Sequence, residues 1–239
     1  MKIAITGSKG FIGSALASRL GEFTTYPTKD SKYLYLFGSP SSDVIYKENI
    51  DFCFEQTING FLNAIQFCRD NHIKLIYPSS ATVYTKNTLY GRCKSILEEI
   101  HMAYNIDCLG LRIFAGYGVG EDKKNECASI VYQFCKRMKI GISPVLYGDG
   151  TQTRDFIYID DIVDTIMANK DLNGILDVGT GVNTSFNEII KIINRQLKTN
   201  IKPLYVDKPD NYIQDTPCKN PIKSTVDIEE GIWKILKSL

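Results

Sequence analysis

A glycine-rich turn between the first predicted strand and the first predicted helix most constrains what this chain can fold into. The strand is the apolar segment Lys2–Thr6, and the helix is predicted because apolar side chains recur on one helical face after the turn (Phe11, Ile12, Ala15, Leu16 and Leu20). In Gly7-Ser8-Lys9-Gly10-Phe11-Ile12-Gly13, the first glycine permits a tight turn, the second a close approach of the backbone to a pyrophosphate, and the third close helix–strand packing. Because a helix amino end presents free N–H groups and a positive dipole end, the turn predicts a dinucleotide-binding site.

Alternation of strands and helices continues through the first half of the chain. Further segments of this half have the periodicity of short strands (near Phe23–Tyr26, then Tyr33–Phe37, Ile73–Tyr77 and Ile106–Ile113) or of helices (about Phe52–Asp70 and Arg92–Tyr104). This order predicts an α/β fold, with a Rossmann-type, doubly wound parallel sheet covered by helices on both faces. We expect a dinucleotide-binding domain over residues 1–115.

The second half has a different pattern, with short strands around Gly148-Asp149-Gly150 and two amphipathic helices. One of these helices begins at the capping-box residues Ser185 and Glu188. We expect a small α+β substrate-binding lobe over residues 116–239, with some of its elements returning to the main sheet.

Composition and charge exclude several other classes of function. The 239 residues carry a formal net charge of +1 without a basic stripe, which argues against nucleic acid as a partner. No apolar run approaches the roughly 20 residues that a membrane helix needs. The seven cysteines form no C-x-x-C pair, so we expect neither a disulfide framework nor a metal site. Free thiols in a core favour a reducing compartment, and we expect a cytoplasmic protein.

A proton-transfer site is indicated by three polar residues in the first half. Tyr90 and Lys94 are four residues apart and therefore share one helical face. Ser80 follows a predicted strand, at the carboxyl edge of the sheet where ligands bind in open α/β folds. A lysine ammonium and an oxidised nicotinamide ring both favour a phenolate, so we expect Tyr90 to act as a base near neutral pH.

In these motifs the sequence resembles the extended short-chain dehydrogenase/reductase family, specifically its nucleotide-sugar epimerases and dehydratases. The resemblance covers nearly the whole chain in order, and its most specific stretch is Gly148–Asp161. It implies NAD or NADP as cofactor, a nucleotide-diphosphate sugar as substrate, and removal and return of a hydride at a sugar carbon, for which we expect C4 of a UDP-sugar. It also implies a set of cofactor-binding residues: Gly7, Gly10, Phe11, Ile12, Gly13, Phe37, Gly38, Ser39, Ser79, Tyr90 and Lys94.

The same resemblance assigns roles to residues that contact the substrate. It makes Tyr90 the catalytic base, Lys94 its electrostatic partner, and Ser80 the hydroxyl that steadies the reacting sugar oxygen. Arg154 is similar to the arginine that holds the nucleotide diphosphate, and Lys208 to a second phosphate-binding cation. Lys124 matches a second acid/base of ADP-heptose 6-epimerases, although an ordinary loop lysine is the simpler interpretation.

The chain also departs from the family pattern. Between Thr28 and Tyr33 there is almost no room for the usual third strand and its preceding helix, so we expect one or two strands of the sheet to be missing. No carboxylate clearly takes the position that binds the adenosine ribose. Asp30 is better interpreted as a loop residue, and Lys29 could meet a 2′-phosphate instead, so NAD and NADP both stay open.

Two alternatives to an epimerase follow from these departures. One is an NADPH-dependent reductase of nucleotide 4-keto-sugars. The other is a binding module without turnover, which the trimmed adenine pocket favours and the Ser80, Tyr90 and Lys94 set opposes.

A homodimer is also implied by the resemblance. The two long helices of the first half would pair with their symmetry mates in a four-helix bundle. They carry apolar stripes wide enough for both a core and an interface: Phe54, Ile58, Leu62, Ile65, Ile96 and Ile100.

Overall fold

A computed structural model describes residues 2–209 and 212–239 of the chain. The helices and strands, in chain order, are β1 (Lys2–Thr6), α1 (Phe11–Leu20), β2 (Ser31–Leu36), α2 (Asp43–Glu48), α3 (Ile50–Phe54), α4 (Gly60–Asn71), β3 (Lys74–Ser80), α5 (Leu89–Tyr104), β4 (Cys108–Ile113), β5 (Ala115–Tyr117), α6 (Ile130–Lys139), β6 (Val145–Tyr147), β7 (Thr153–Tyr158), α7 (Ile159–Asn169), β8 (Gly174–Val178), β9 (Asn183–Ser185), α8 (Phe186–Leu197), β10 (Leu204–Val206) and α9 (Ile228–Ser238). A π-helical turn at Glu55–Asn59 joins α3 to α4. None of the helices in these two described ranges is both long and apolar enough to cross a membrane.

The chain divides into two compact units. The first comprises residues 1–113 and 163–177, and the second comprises residues 114–162 and 178–239.

The main sheet has five strands in the order β1-β2-β3-β4-β8. The three pairs from β1 to β4 are parallel, with Ile5 opposite Tyr35 and Ser80 opposite Ile113. Both faces are buried: apolar residues of β1 to β4 pack with α4 and α5 in one core that includes Leu34, Phe61 and Leu97. The α/β architecture with a parallel central sheet is therefore confirmed.

The connection between α1 and β2 is short, as its length in the sequence predicts. The predicted strand near Phe23–Tyr26 is reduced to one parallel bridge between Thr24 and Ala4. Thr24 exchanges two backbone hydrogen bonds of 2.9 Å with Ile3 and Ile5, and Pro27, which has no N–H, follows three residues later. The chain then enters β2 directly, without a further strand between Thr28 and Tyr33 in the sequence. Strand β2 pairs in parallel with β1.

The second unit is built from short strands and amphipathic helices. Strand β7 pairs in parallel with β5 and antiparallel with β9, while β6 and β10 form a separate parallel pair. Helix α8 begins as predicted, because the Ser185 hydroxyl accepts a hydrogen bond from the Glu188 N–H at 3.1 Å. The buried carboxylate of Asp155 accepts hydrogen bonds from the Thr180 hydroxyl and from the N–H groups of Thr180 and Gly181. This arrangement accounts for Thr180 and Gly181, which follow β8.

Candidate active site

The glycine loop has the geometry that its sequence predicts. Gly7 has a φ of +69°, and a Cβ there would lie 2.5 Å from the Phe37 carbonyl oxygen. A Cβ on Gly13 would lie 2.1 Å from the Gly7 carbonyl oxygen, so α1 can approach the loop only with glycine at this position. Around Gly10, by contrast, the sole atom near such a Cβ in the described chain is the Gly7 oxygen, at 3.3 Å. The protein itself therefore leaves room at Gly10, which is the position where the sequence predicts contact with a pyrophosphate.

Beside this loop lies a cleft of about 220 Å³. Its polar lining comes from Thr6, Tyr26, Ser39, Gln56 and Thr57, together with the hydroxyl-bearing Tyr77, and the remaining lining consists of aliphatic, aromatic, glycine and proline residues. The Thr6 hydroxyl is buried without a hydrogen-bond partner among the described residues. An unsatisfied hydroxyl in a cleft is a position where a ligand hydrogen bond would recover a desolvation cost.

The cleft leads to the ammonium group of Lys94, which extends from α5 to the carboxyl end of β3. The Lys94 Nζ donates hydrogen bonds to the Pro78 carbonyl at 2.9 Å and to the Ser39 hydroxyl at 3.2 Å, and both of these residues line the cleft. Because only 2% of Lys94 is exposed, burial lowers the pKa of its ammonium to about 8. Of the predicted cofactor-binding residues, Ser39 and Lys94 are thus brought together, and Phe37 and Gly38 lie against Gly7.

Ser80 and Tyr90 meet as the sequence predicts. Thr88 caps α5 by accepting a hydrogen bond from the Gly91 N–H at 3.2 Å, which fixes the turn that carries Tyr90. Ser80 accepts hydrogen bonds from the N–H and hydroxyl of Thr82, and its hydroxyl lies close enough to Tyr90 to lower the pKa of that phenol. The Lys94 Nζ lies 5.6 Å from the centroid of the Tyr90 ring. Ser80, Tyr90 and Lys94 therefore form one cluster at the carboxyl edge of the sheet.

The pKa of Tyr90 differs from the expectation of a base near neutral pH. Burial raises the pKa of this phenol to about 12, and the hydrogen bond from Ser80 opposes the rise only in part. The protein side chains alone therefore keep Tyr90 protonated at neutral pH. The expectation of a base near neutral pH also invokes the charge of an oxidised nicotinamide ring, and the spacing of Tyr90 and Lys94 in the sequence does not reveal the burial that opposes it.

One neighbour of Tyr90 has no counterpart in the sequence predictions. Tyr46, on α2, packs edge-on against the Tyr90 ring with centroids 5.7 Å apart. Its hydroxyl is 2.6 Å from the Thr57 hydroxyl, and Thr57 lines the cleft. No apolar periodicity marks α2, because it is only six residues long, and the sequence patterns therefore do not indicate this helix.

A buried ion pair supports the strand end that carries Ser80. The Arg112 guanidinium donates to Glu98 through Nε at 2.9 Å and through Nη2 at 2.7 Å, and through Nη1 to the Tyr84 hydroxyl. Tyr84 in turn donates to Asp177. The Ser79 hydroxyl also donates to Glu98, so its oxygen lone pairs and the backbone of Ser79 are left for the predicted cofactor contact. The predictions missed this ion pair, whose partners are adjacent only because α5 packs against β4.

The loop between α1 and β2 does not bring a charge to the cleft. Asp30 forms an ion pair with Lys2 and a hydrogen bond with the Thr28 hydroxyl, and the Lys2 partner lowers the pKa of the carboxyl group to about 2. The position of Asp30 thus matches the interpretation of a loop carboxylate. Lys29 is exposed and does not line the cleft.

In the second unit, the two predicted phosphate-binding cations meet at Gln214. Arg154 donates to the carbonyls of Thr153, Ile213 and Gln214 at 2.6 to 3.1 Å, and Lys208 donates to the Gln214 Oε1 at 2.8 Å. Arg154 also lies over the Phe186 ring, 5.5 Å from its centroid. These contacts fix the guanidinium close to a second cation.

Lys124 lies beside a buried carboxylate. Its Nζ is 3.4 Å from Glu121, which is fully buried and also accepts hydrogen bonds from Gly118 and Ser129. Glu121 thus organises the 3₁₀ turn at Glu121–Cys127, and Lys124 is held within that turn. Across residues 2–209 and 212–239, no group of three or more His, Cys, Asp or Glu side chains is arranged to hold a metal ion.

The parallel sheet, the glycine loop and the Ser80, Tyr90 and Lys94 cluster together define an α/β protein of the dinucleotide-binding class. A family model places the chain within that class. It matches residues 25–171, more than half of the chain, and describes the NAD dependent epimerase/dehydratase family. The chain belongs to this family.

Similar proteins agree with this assignment. Over 159 residues, the chain is 33% identical to the "Putative UDP-glucose 4-epimerase" of Methanocaldococcus jannaschii; the match covers 62% of this chain and 52% of that relative, so it spans about half the length of the relative. The fold is similar to that of the UDP-N-acetylglucosamine 4-epimerase of Methanobrevibacter ruminantium, with a TM-score of 0.90 and 23% identity, covering 99% of this chain and 97% of that one. It is also similar to the UDP-glucose 4-epimerase of Thermus thermophilus in complex with NAD, with a TM-score of 0.87 and 19% identity, covering 100% and 98% of the two chains.

Proposed function

We propose that the protein is an NAD-dependent nucleotide-sugar epimerase that acts at C4 of a UDP-sugar. The observation that carries this proposal is the cluster of Ser80, Tyr90 and Lys94 at the carboxyl edge of the sheet, with Lys94 hydrogen-bonded to residues of the adjacent cleft. Membership of the family and the similarity to UDP-sugar epimerases support the reaction class.

The residues of the first unit fit a dinucleotide. The room left at Gly10, the unsatisfied Thr6 hydroxyl and the Ser39–Lys94 contact are features that a bound dinucleotide would use. Gly7, Gly10 and Gly13 would hold the pyrophosphate at the amino end of α1. When bound, NAD⁺ supplies the hydride acceptor and a positive charge beside the catalytic side chains.

Tyr90 would hold the proton that moves during the reaction. Because its pKa is about 12, the phenol is protonated at neutral pH and loses its proton only while a positive charge lies near its oxygen. Lys94 is the buried cation beside its ring. Ser80 would orient the sugar oxygen toward Tyr90, since its hydroxyl lies beside that tyrosine and lowers the pKa of the phenol.

The cations of the second unit would bind the diphosphate of the sugar nucleotide. A guanidinium suits phosphate oxygens, and Arg154 is already held rigidly by three backbone carbonyls. Lys208 would add a second positive charge next to it. Rigid positioning reduces the conformational entropy that binding would otherwise cost.

The test is Tyr90→Phe, which keeps the ring and its contact with Tyr46 but removes the hydroxyl. General acid–base catalysis contributes about 10²–10⁴-fold, so we expect kcat to fall by that factor with little change in the affinity for UDP-sugar. The matched control is Tyr104→Phe at the other end of α5, which should keep full activity. The assay follows interconversion of UDP-glucose and UDP-galactose and of their N-acetyl forms. Full activity of Tyr90→Phe would overturn the catalytic assignment.

Lys124 distinguishes the C4 mechanism from that of heptose epimerases. If a second acid/base is required, Lys124→Ala should cost as much activity as Tyr90→Phe. The ion pair with Glu121 favours a structural role for Lys124. We therefore expect Lys124→Ala to lower activity by less than about tenfold, which is below the roughly 10²–10⁴-fold contribution of a general acid or base. An ADP-heptose assayed in parallel identifies the other outcome.

A reductase of nucleotide 4-keto-sugars is the second candidate, because a cleft without charged lining residues favours a cofactor that dissociates. The two reactions differ in redox balance. An epimerase leaves the absorbance of the reduced nicotinamide unchanged at the end of the reaction, whereas a reductase consumes one NADPH for each sugar.

We also propose a homodimer formed through the helical segment from α3 to α4 and through α5. Phe54 and Ile96 are exposed to 36% and 39%, whereas Ile65 is fully buried and serves the core. Ile58, Leu62 and Ile100 are half-buried between these extremes. The predicted stripe thus divides into a core side and an exposed side.

A further inference from the structure

The cleft in the first unit carries no charged side chain among the described residues that line it. A dinucleotide-binding fold usually distinguishes its two cofactors by charge. A carboxylate accepts hydrogen bonds from the ribose 2′-hydroxyl of NAD, or a cation binds the 2′-phosphate of NADP. Neither kind of group lines this cleft.

The order of the strands shows which end of the cleft would receive the adenosine. Thr24 bridges to the outer side of β1, while Ser80 is at the end of β3, so β1 and β2 lie between them. Three strand spacings of about 4.8 Å separate the two positions, or roughly 14 Å. Because the nicotinamide of a bound dinucleotide would have to reach Tyr90 beside Ser80, its adenosine would lie toward Thr24. Tyr26, two residues beyond Thr24, lines that end of the cleft.

The charged residues nearest to Tyr26 in sequence do not line the cleft. Asp30 is paired with Lys2 on the surface, and Lys29 does not line the cleft. Tyr26 itself is 78% exposed, so a group attached to the ribose next to it would remain in contact with water. Among the described residues that line the cleft, a hydrated 2′-phosphate would therefore meet neither a repelling carboxylate nor an attracting cation.

We propose that Tyr26 occupies the position of the ribose-recognising residue and that this protein binds NAD and NADP with similar affinity, in exchange with solvent. This inference rests on the proposed cofactor function and specifies it further. A charge-assisted hydrogen bond is worth about 10- to 150-fold in affinity, and that contribution is missing for both cofactors.

The experiment is calorimetric titration of the full chain with NAD and with NADP after extensive dialysis. For the wild-type protein we expect dissociation constants within about threefold of each other and no stoichiometric cofactor retained before titration. Tyr26→Asp should favour NAD over NADP by about tenfold or more, since a carboxylate accepts from the 2′-hydroxyl and repels the phosphate. Tyr26→Arg should reverse this preference. Asp30→Asn is the control and should leave both affinities unchanged.

Each contrary outcome identifies a different failure. A preference of tenfold or more in the wild-type protein, or a tenfold loss of NAD affinity in Asp30→Asn, would overturn the inference while leaving the cofactor function intact. Unchanged selectivity in both Tyr26 variants would show that the ribose lies elsewhere and would also overturn it. Binding of neither dinucleotide to the wild-type protein would overturn the proposed function itself.

Discussion

Two substitutions in the glycine loop should separate cofactor binding from stability. At Gly13, a Cβ would lie 2.1 Å from the Gly7 carbonyl oxygen, a backbone atom that cannot move without displacing the loop. At Gly10, the nearest atom is the same oxygen at 3.3 Å, and φ and ψ of −75° and 175° suit any residue. We therefore expect Gly13→Ala to destabilise the protein and Gly10→Val to block the dinucleotide.

The expected magnitudes follow from these contacts. Overpacking costs about 1–3 kcal/mol, so Gly13→Ala should lower the Tm by about 2–12 °C. Valine caps a helix less well than glycine, by about 1 kcal/mol, but the reduced freedom of the unfolded chain offsets part of this, and the Tm of Gly10→Val should stay within about 4 °C of the wild type. The same steric cost, imposed on a bound pyrophosphate, would weaken NAD binding by roughly 5- to 150-fold.

The assay combines thermal unfolding followed by circular dichroism, without ligand, with calorimetric titration of NAD. Each variant is the control for the other. Undiminished NAD binding by Gly10→Val would refute the assignment of this loop to the pyrophosphate. An unchanged Tm for Gly13→Ala would refute the clash on which the close packing of α1 depends.

Three further perturbations test other parts of the structure. The pKa of Lys94 is about 8 in the folded protein and 10.5 ordinarily, so the unfolded chain binds more protons between these pH values. The free energy of unfolding of the wild type, relative to that of Lys94→Met, should therefore rise by up to about 3 kcal/mol from pH 8 to 10.5. A difference that stays constant with pH in urea unfolding would contradict this. Arg112→Leu should cost about 3–5 kcal/mol by leaving the Glu98 carboxylate buried and unpaired, and the double variant with Glu98→Leu should recover part of this loss in the same urea assay. Ile96→Glu should produce a monomer by light scattering at micromolar concentration if α5 forms the dimer interface, and a wild-type protein that is already monomeric would refute the interface.

Local features of the fold could be predicted well from the sequence. The strand–turn–helix at Gly7, the shared helical face of Tyr90 and Lys94, and the Ser185 cap depend on residues within about one or two turns of each other. Their geometry is fixed by backbone sterics and helical periodicity, so spacing alone is sufficient. The short connection between Thr28 and β2 was evident from chain length for the same reason.

The tertiary structure alone decided which distant groups meet. Arg112 pairs with Glu98, Asp30 with Lys2, and Tyr46 with Tyr90, and each pair joins elements that only the sheet order or helix packing brings together. Desolvation is equally non-local, since the burial that raises the pKa of Tyr90 comes from several segments of the chain. The sequence by itself therefore determined the kind of chemistry that the first unit can support. Packing determined the charge states of Tyr90 and Lys94 and the neutral lining of the cleft. These charge states depend on the dielectric surroundings that only the folded chain creates.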